Sequence, residues 1–139
     1  GWGLGESVVS GEVTPDNYTL DKVILEVIKS KIHEQEFALV PDIKNKCVVK
    51  KYLDKEESGK PCLNNEELKA LGNLCKKVEQ HYKTPQDIEW ALDGDLPDGE
   101  NLTLLQSRPE TVWSQKPKEK KTGTYTFGME GLVIAISLK

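Results

Sequence analysis

Two strand-like segments separated by an acidic turn constrain this chain more than any other feature. The first is Gln86-Asp87-Ile88-Glu89-Trp90-Ala91, the second Leu104-Leu105-Gln106-Ser107-Arg108-Pro109-Glu110-Thr111. Each alternates as a half-buried strand does. The turn-rich stretch Asp93-Gly94-Asp95-Leu96-Pro97-Asp98-Gly99-Glu100-Asn101 between them predicts a β-hairpin. Gln106 and Arg108 are two positions apart and therefore project from one face of their strand. If Glu89 shares that face, a carboxylate, an amide and a guanidinium converge where a divalent cation and its phosphates could sit. The alternative is the ordinary polar side of an antiparallel sheet, and spacing alone favours it.

The rest of the chain predicts an α+β fold with antiparallel pairs and at least one good helix. That helix begins at Asn64 or Asn65, either of which can cap it, with Glu66 and Glu67 near the positive end of its dipole. Leu68, Leu71, Cys75, Val78 and Tyr82 recur every three or four residues as one buried face, and Lys83-Thr84-Pro85 ends the helix. Glu36 to Val40 and Cys47 to Leu53 read as two short strands around the turn Pro41 to Asn45. Thr14-Pro15-Asp16-Asn17 is a turn before Tyr18-Thr19-Leu20. Val23 to Ile28 is mostly apolar with an ambiguous period, and Lys55 to Lys60 reads as a charged loop. Lys116 to Lys121 reads as a basic linker, and Gly131 to Leu138 as a short strand.

Composition excludes several classes. A length of 139 residues suits one domain or a piece of a larger one, and a net charge of −4 gives no support for nucleic-acid binding. No apolar run approaches the roughly 18 residues of a membrane span. Cys47, Cys62 and Cys75 are widely spaced without a C-x-x-C pair, which predicts reduced thiols and a cytoplasmic location. Gly3-Leu4-Gly5-Glu6 invites a dinucleotide-loop reading. The third glycine is missing at Val8, however, and no helix start is expected after it. Glu6 stays a candidate site residue. The turn beginning Asp93-Gly94-Asp95 fails as a calcium loop at Pro97 and Asp98. Trp2-Gly3-Leu4-Gly5-Glu6 reads as the middle of a strand-and-loop motif, which predicts an upstream portion.

Three strings carry a family resemblance. Gly3-Leu4-Gly5-Glu6-Ser7-Val8-Val9-Ser10-Gly11-Glu12-Val13-Thr14-Pro15-Asp16 resembles a signature of phosphoenolpyruvate synthases (pyruvate, water dikinases). More broadly, it is similar to the nucleotide-binding domain shared with pyruvate phosphate dikinases and rifampin phosphotransferases. His81-Tyr82-Lys83-Thr84-Pro85-Gln86-Asp87-Ile88-Glu89-Trp90-Ala91 resembles a second signature, with Lys83 where glycine is usual, and Leu105 to Thr111 a third. They occur in family order over residues 1 to about 113.

The resemblance implies an ATP-grasp fold, of which this chain would be the C-terminal subdomain: an antiparallel sheet with packed helices. Residues 1–115 would be that part of the nucleotide-binding domain, and 116–139 a linker and truncated start of a swivelling domain. ATP and Mg²⁺ would be the ligands, with Glu89 and Gln106 on the metal, Arg108 on phosphate as the catalytic group, and Glu6 in the same nucleotide site. The N-terminal ATP-grasp half and the phosphohistidine domain would be partners in cis or trans; neither His33 nor His81 matches the phosphorylated histidine's motif. The resemblance further implies a transferase of the kinase type whose complete form turns ATP, pyruvate and water into AMP, phosphoenolpyruvate and phosphate. Alone, the chain is expected to be inactive, since half a cleft lacks the wall that excludes water and fixes the phosphates. Two alternatives stay open: a non-catalytic module docking onto a separately encoded N-terminal half, and part of another family phosphotransferase such as the rifampin enzyme.

Overall fold

The computed structural model describes residues 1–97, 99–111 and, for the backbone alone, 124–127 and 135–138. Asp98 of the acidic turn, Val112-Trp113 and the basic stretch 116–121 lie outside the described residues, as does most of the segment 116–139.

The helix forms where its capping chemistry is complete. α3 (Asn65–Tyr82) is capped by Asn64: the Glu67 amide donates to Asn64 Oδ1 at 2.9 Å, and the Asn64 amide donates to Glu67 Oε2 at 2.8 Å. Only Asn64, and not Asn65, has a glutamate three residues on to close this reciprocal box. At the other end Lys83 takes a left-handed conformation (φ 57°) and Pro85 follows, so the helix stops. Leu68, Leu71, Cys75 and Val78 are buried as the periodicity predicts; Tyr82 is exposed and packs edge-on to His81 instead. Burial pushes the Cys75 thiol up to about 12 and the Cys62 thiol up to about 11, so both stay protonated at neutral pH.

The buried face of α3 meets two sheets. β1 (Asn17–Asp21) contributes Tyr18 and Leu20; β5 (Gln86–Asp93) contributes Ile88, Trp90 and Leu92 to the same cluster. β2 (Val27–Lys31) and β7 (Thr124–Phe127) flank β1, both antiparallel. The ambiguous apolar stretch resolves into the β1–β2 turn and the first two residues of β2. Leu25, at φ 59°, is buried against Gly72 of α3, where a Cβ would come within 2.8 Å of its side chain. Val23 and Ile24 remain exposed at the turn's tip.

A second, smaller cluster of Val13, Phe37 and Leu39 lies under β3 (Phe37–Asp42), paired antiparallel with β4 (Cys47–Tyr52). Gly3 (φ 74°) bridges Leu39 so closely that a Cβ would lie 2.3 Å from the Leu39 carbonyl oxygen. Two one-turn helices were not expected from sequence: α1 (Glu6–Val9) follows the glycines, and α2 (Lys55–Ser58) is capped by Asp54. Four residues are too few to show a helical period. β6 (Leu102–Pro109) and β8 (Ala135–Leu138) flank β5, with β8 parallel to it. The fold is thus a small α+β domain whose strand pairs are antiparallel apart from β5–β8, with one further parallel bridge between Gly3 and Leu39, among the described residues.

Asp16 ties β1 to the segment after β2 and to the segment before α3. Its buried carboxylate accepts from the Cys62 amide (2.9 Å), the His33 amide (3.0 Å) and the Tyr18 hydroxyl (3.1 Å). Burial and the Asp16 charge hold the Tyr18 phenol above its usual range, so it remains a donor. Asp16→Asn replaces one acceptor oxygen by a donor facing donors. It is expected to cost about 2–4 kcal/mol, read as a lower urea midpoint at unchanged slope; an unmoved midpoint would make Asp16 a spectator.

Candidate functional site

The hairpin predicted from alternation is formed by β5 and β6, and its register decides which side chains meet. Asp87 stands opposite Arg108, Ile88 opposite Ser107 and Glu89 opposite Gln106. Residues directly opposite share a face, with Cβ atoms roughly 5 Å apart. Ile88, Trp90 and Leu92 point to α3 and are buried, so Asp87 and Glu89 occupy the other side with Gln106 and Arg108.

A register shift follows Glu89: Trp90 pairs with Leu104, leaving Leu105 as the extra residue of a bulge. Strict alternation would place Leu104 and Gln106 on the same side. The bulge lets Leu104 pair with buried Trp90 while Gln106 keeps its place opposite Glu89. The base of the hairpin is pinned by the Ser107 hydroxyl donating to Gln86 Oε1 (3.0 Å) and by the Glu110 amide donating to the Pro85 carbonyl (3.1 Å).

Asp87 was not singled out from sequence, although it precedes Glu89 by two and obeys the same alternation. Its Oδ2 lies 3.5 Å from Arg108 Nε; the carboxylate side chain is only 15% exposed, the guanidinium 50%. Burial raises the Asp87 pKa, Glu110 adds to the rise, and Arg108 opposes it. Glu6 lies elsewhere. It is exposed in the first turn of α1, in the segment that Gly3 and Leu4 dock on Leu39 of β3, and it is not part of the hairpin.

The donor set suits a hard cation. Two carboxylates and an amide oxygen along one strand pair are oxygen ligands of the kind Mg²⁺ takes. Among the described residues no three His, Cys, Asp or Glu side chains group closely enough to hold a metal by themselves. Without a cation, two carboxylates beside one guanidinium repel a polyphosphate; with one, the balance reverses.

The sequence that carries this sheet face is matched by a known family. The family described as pyruvate phosphate dikinase, AMP/ATP-binding domain, matches residues 1–128, and the chain belongs to it. Its relatives are more particular. The chain is 40% identical over 139 residues to the probable phosphoenolpyruvate synthase of Staphylothermus marinus, the match covering 86% of this chain and 17% of that protein. It is 38% identical over 143 residues to the phosphoenolpyruvate synthase of Aeropyrum pernix, covering 85% and 17%. With the probable phosphoenolpyruvate synthase of Methanothermobacter thermautotrophicus the identity is 35% over 132 residues, covering 94% and 18%. The matches thus span less than one fifth of these relatives' length. Among the described residues no helix is long and apolar enough to cross a membrane.

Proposed function

We propose that the outward face of β5 and β6 binds Mg·ATP, as one wall of an ATP-grasp cleft in a phosphoenolpyruvate synthase-like phosphotransferase of the cytoplasm. The observation that carries this reading is the register that sets Glu89 opposite Gln106 and Asp87 opposite Arg108. Mg²⁺ held there would supply charge neutralisation to a bound polyphosphate. The chain's own residues do the rest. Glu89 and Gln106 supply oxygen ligands from adjacent strands, so the rigid hairpin sets the spacing. Arg108 offers a planar fork to a phosphate oxygen and favours charge that develops there during phosphoryl transfer. Trp90 and Ile88 anchor the reverse side, which keeps the ligand side in place. Glu6 contributes from the α1 segment to the same nucleotide site. In the complete enzyme the reaction would be ATP, pyruvate and water to AMP, phosphoenolpyruvate and phosphate.

A second reading is favoured by one observation: Val23 is 79% exposed and Ile24 62% at the β1–β2 tip, with Ile28 exposed beside them. On that reading the chain works by docking onto a separately made N-terminal half. One titration separates the two. Adding Mg·ATP to isotope-labelled chain is expected to shift resonances of Glu89, Gln106 and Arg108, with dissociation in the millimolar range typical of weak sites. Shifts confined to other residues would sink the nucleotide assignment. Shifts that appear at Val23 and Ile24 only when an N-terminal ATP-grasp half is added would favour docking.

A further inference from the structure

We infer that Asp87 is a latch on Arg108, holding the guanidinium until a cation-bound polyphosphate displaces it. The inference rests on the Mg·ATP reading of this face and goes beyond it, because it makes phosphate binding by Arg108 conditional on the cation.

Three features of the pair carry the inference. Asp87 and Arg108 are directly opposed across the ladder, so the contact is set by register rather than by a chance surface rotamer. The partners are unequal: the carboxylate is 15% exposed and the guanidinium 50%, which makes Asp87 the fixed member and Arg108 the movable one. Asp87 approaches the Nε edge of the guanidinium at 3.5 Å, the edge that a bidentate phosphate contact would also use. A polyphosphate arriving alone must therefore compete with Asp87 for Arg108 while being repelled by Asp87 and Glu89. Glu89 and Gln106, one pleat repeat along the same face, would hold the divalent cation, whose charge would offset that of Asp87 and weaken its hold on the fork. Asp87 is a positioning residue in this scheme. It makes the site select cation-bound over cation-free polyphosphate.

Arg108 is the only arginine in the sequence, so its Nε–Hε resonance is a single, unambiguous signal. The test follows that signal and the affinity for sodium tripolyphosphate, with and without Mg²⁺, in the whole chain and in Asp87→Asn and Glu89→Gln. Both variants remove one negative charge from the face, but only the first removes the latch. In Asp87→Asn the Arg108 signal is expected to move towards that of a free guanidinium. Cation-free tripolyphosphate is expected to bind about threefold to fivefold more tightly than to wild type, the scale of a partly exposed ion pair. The Mg²⁺-dependent gain in affinity shrinks accordingly. In Glu89→Gln the Arg108 signal should stay in place. An unmoved signal in Asp87→Asn, or an equal gain in both variants, overturns the latch. If the signal moves as expected but Mg·ATP perturbs neither Glu89, Gln106 nor Arg108 in wild type, the nucleotide reading fails while the pair stands. Asp87→Ser carries the same expectations should the asparagine variant not fold.

Discussion

Trp90→Ala is expected to remove a large share of the chain's stability, about 3–5 kcal/mol, from a domain whose total is of the order of 5–15 kcal/mol. Trp90 is 2% exposed and joins Ile88 and Leu92 in the cluster that α3 and β1 close over. Truncation leaves a cavity in the cluster where the β1 and β5 strands meet the helix, and close-packed surroundings relax only partly into such a void. The variant is expected to show a strongly lowered urea midpoint, or loss of dispersed amide resonances at 25 °C. Trp90→Phe is the control. Its ring fills much of the same space, and the indole N–H has no hydrogen-bond partner among the described residues, so the loss should be far smaller. Equal stability of Trp90→Ala and wild type would mean that the β5 face does not anchor the hairpin.

Arg108→Ala is expected to have the opposite profile, a large functional loss at nearly unchanged stability. Arg108 is half exposed and its contact with Asp87 is worth at most about 1 kcal/mol, so the unfolding midpoint should barely move. Its removal from the phosphate face is expected to weaken Mg·ATP binding by the chain at least about tenfold. At the matching position of a complete phosphoenolpyruvate synthase it should slow pyruvate-dependent AMP formation by about 10²–10³, the scale of losing one preorganised donor to developing charge. Glu89→Ala should behave alike through loss of the metal ligand. A rate within threefold of wild type for either variant would remove that residue from the proposed site. The two expectations together test whether the hairpin divides its labour between faces, with even-numbered β5 residues holding the fold and odd-numbered ones holding ligand.

The two-faced hairpin was partly legible in the amino-acid sequence, and the reason is range. Helix capping is local: Asn64 and Glu67 are three residues apart, so the start of α3 could be read from the letters, and the structure only chose between two adjacent asparagines. Side-chain alternation is also local, which is why Gln106 and Arg108 could be assigned a common face. Asp87 obeys the same rule, but one carboxylate two residues before another looks like any polar side of a strand. The one-turn helices α1 and α2 had no period to detect. Tyr82 kept the helical spacing but fell at the helix end, where no sheet remains to cover it.

The sequence by itself determined that β5 and β6 would form strands, that the segment between them would turn, and, through its three family-like strings, which family the chain belongs to. Only the tertiary structure decided that Glu89 meets Gln106 and that Asp87 holds Arg108. It also showed that a bulge at Leu105 lets Leu104 pair with Trp90 while Gln106 stays opposite Glu89. The physical reason is that alternation is a property of one strand, whereas register belongs to two. A one-residue slip between β5 and β6 would leave every local preference intact and carry the proposed site into the core. Packing of Ile88, Trp90 and Leu92 against α3 forbids that slip.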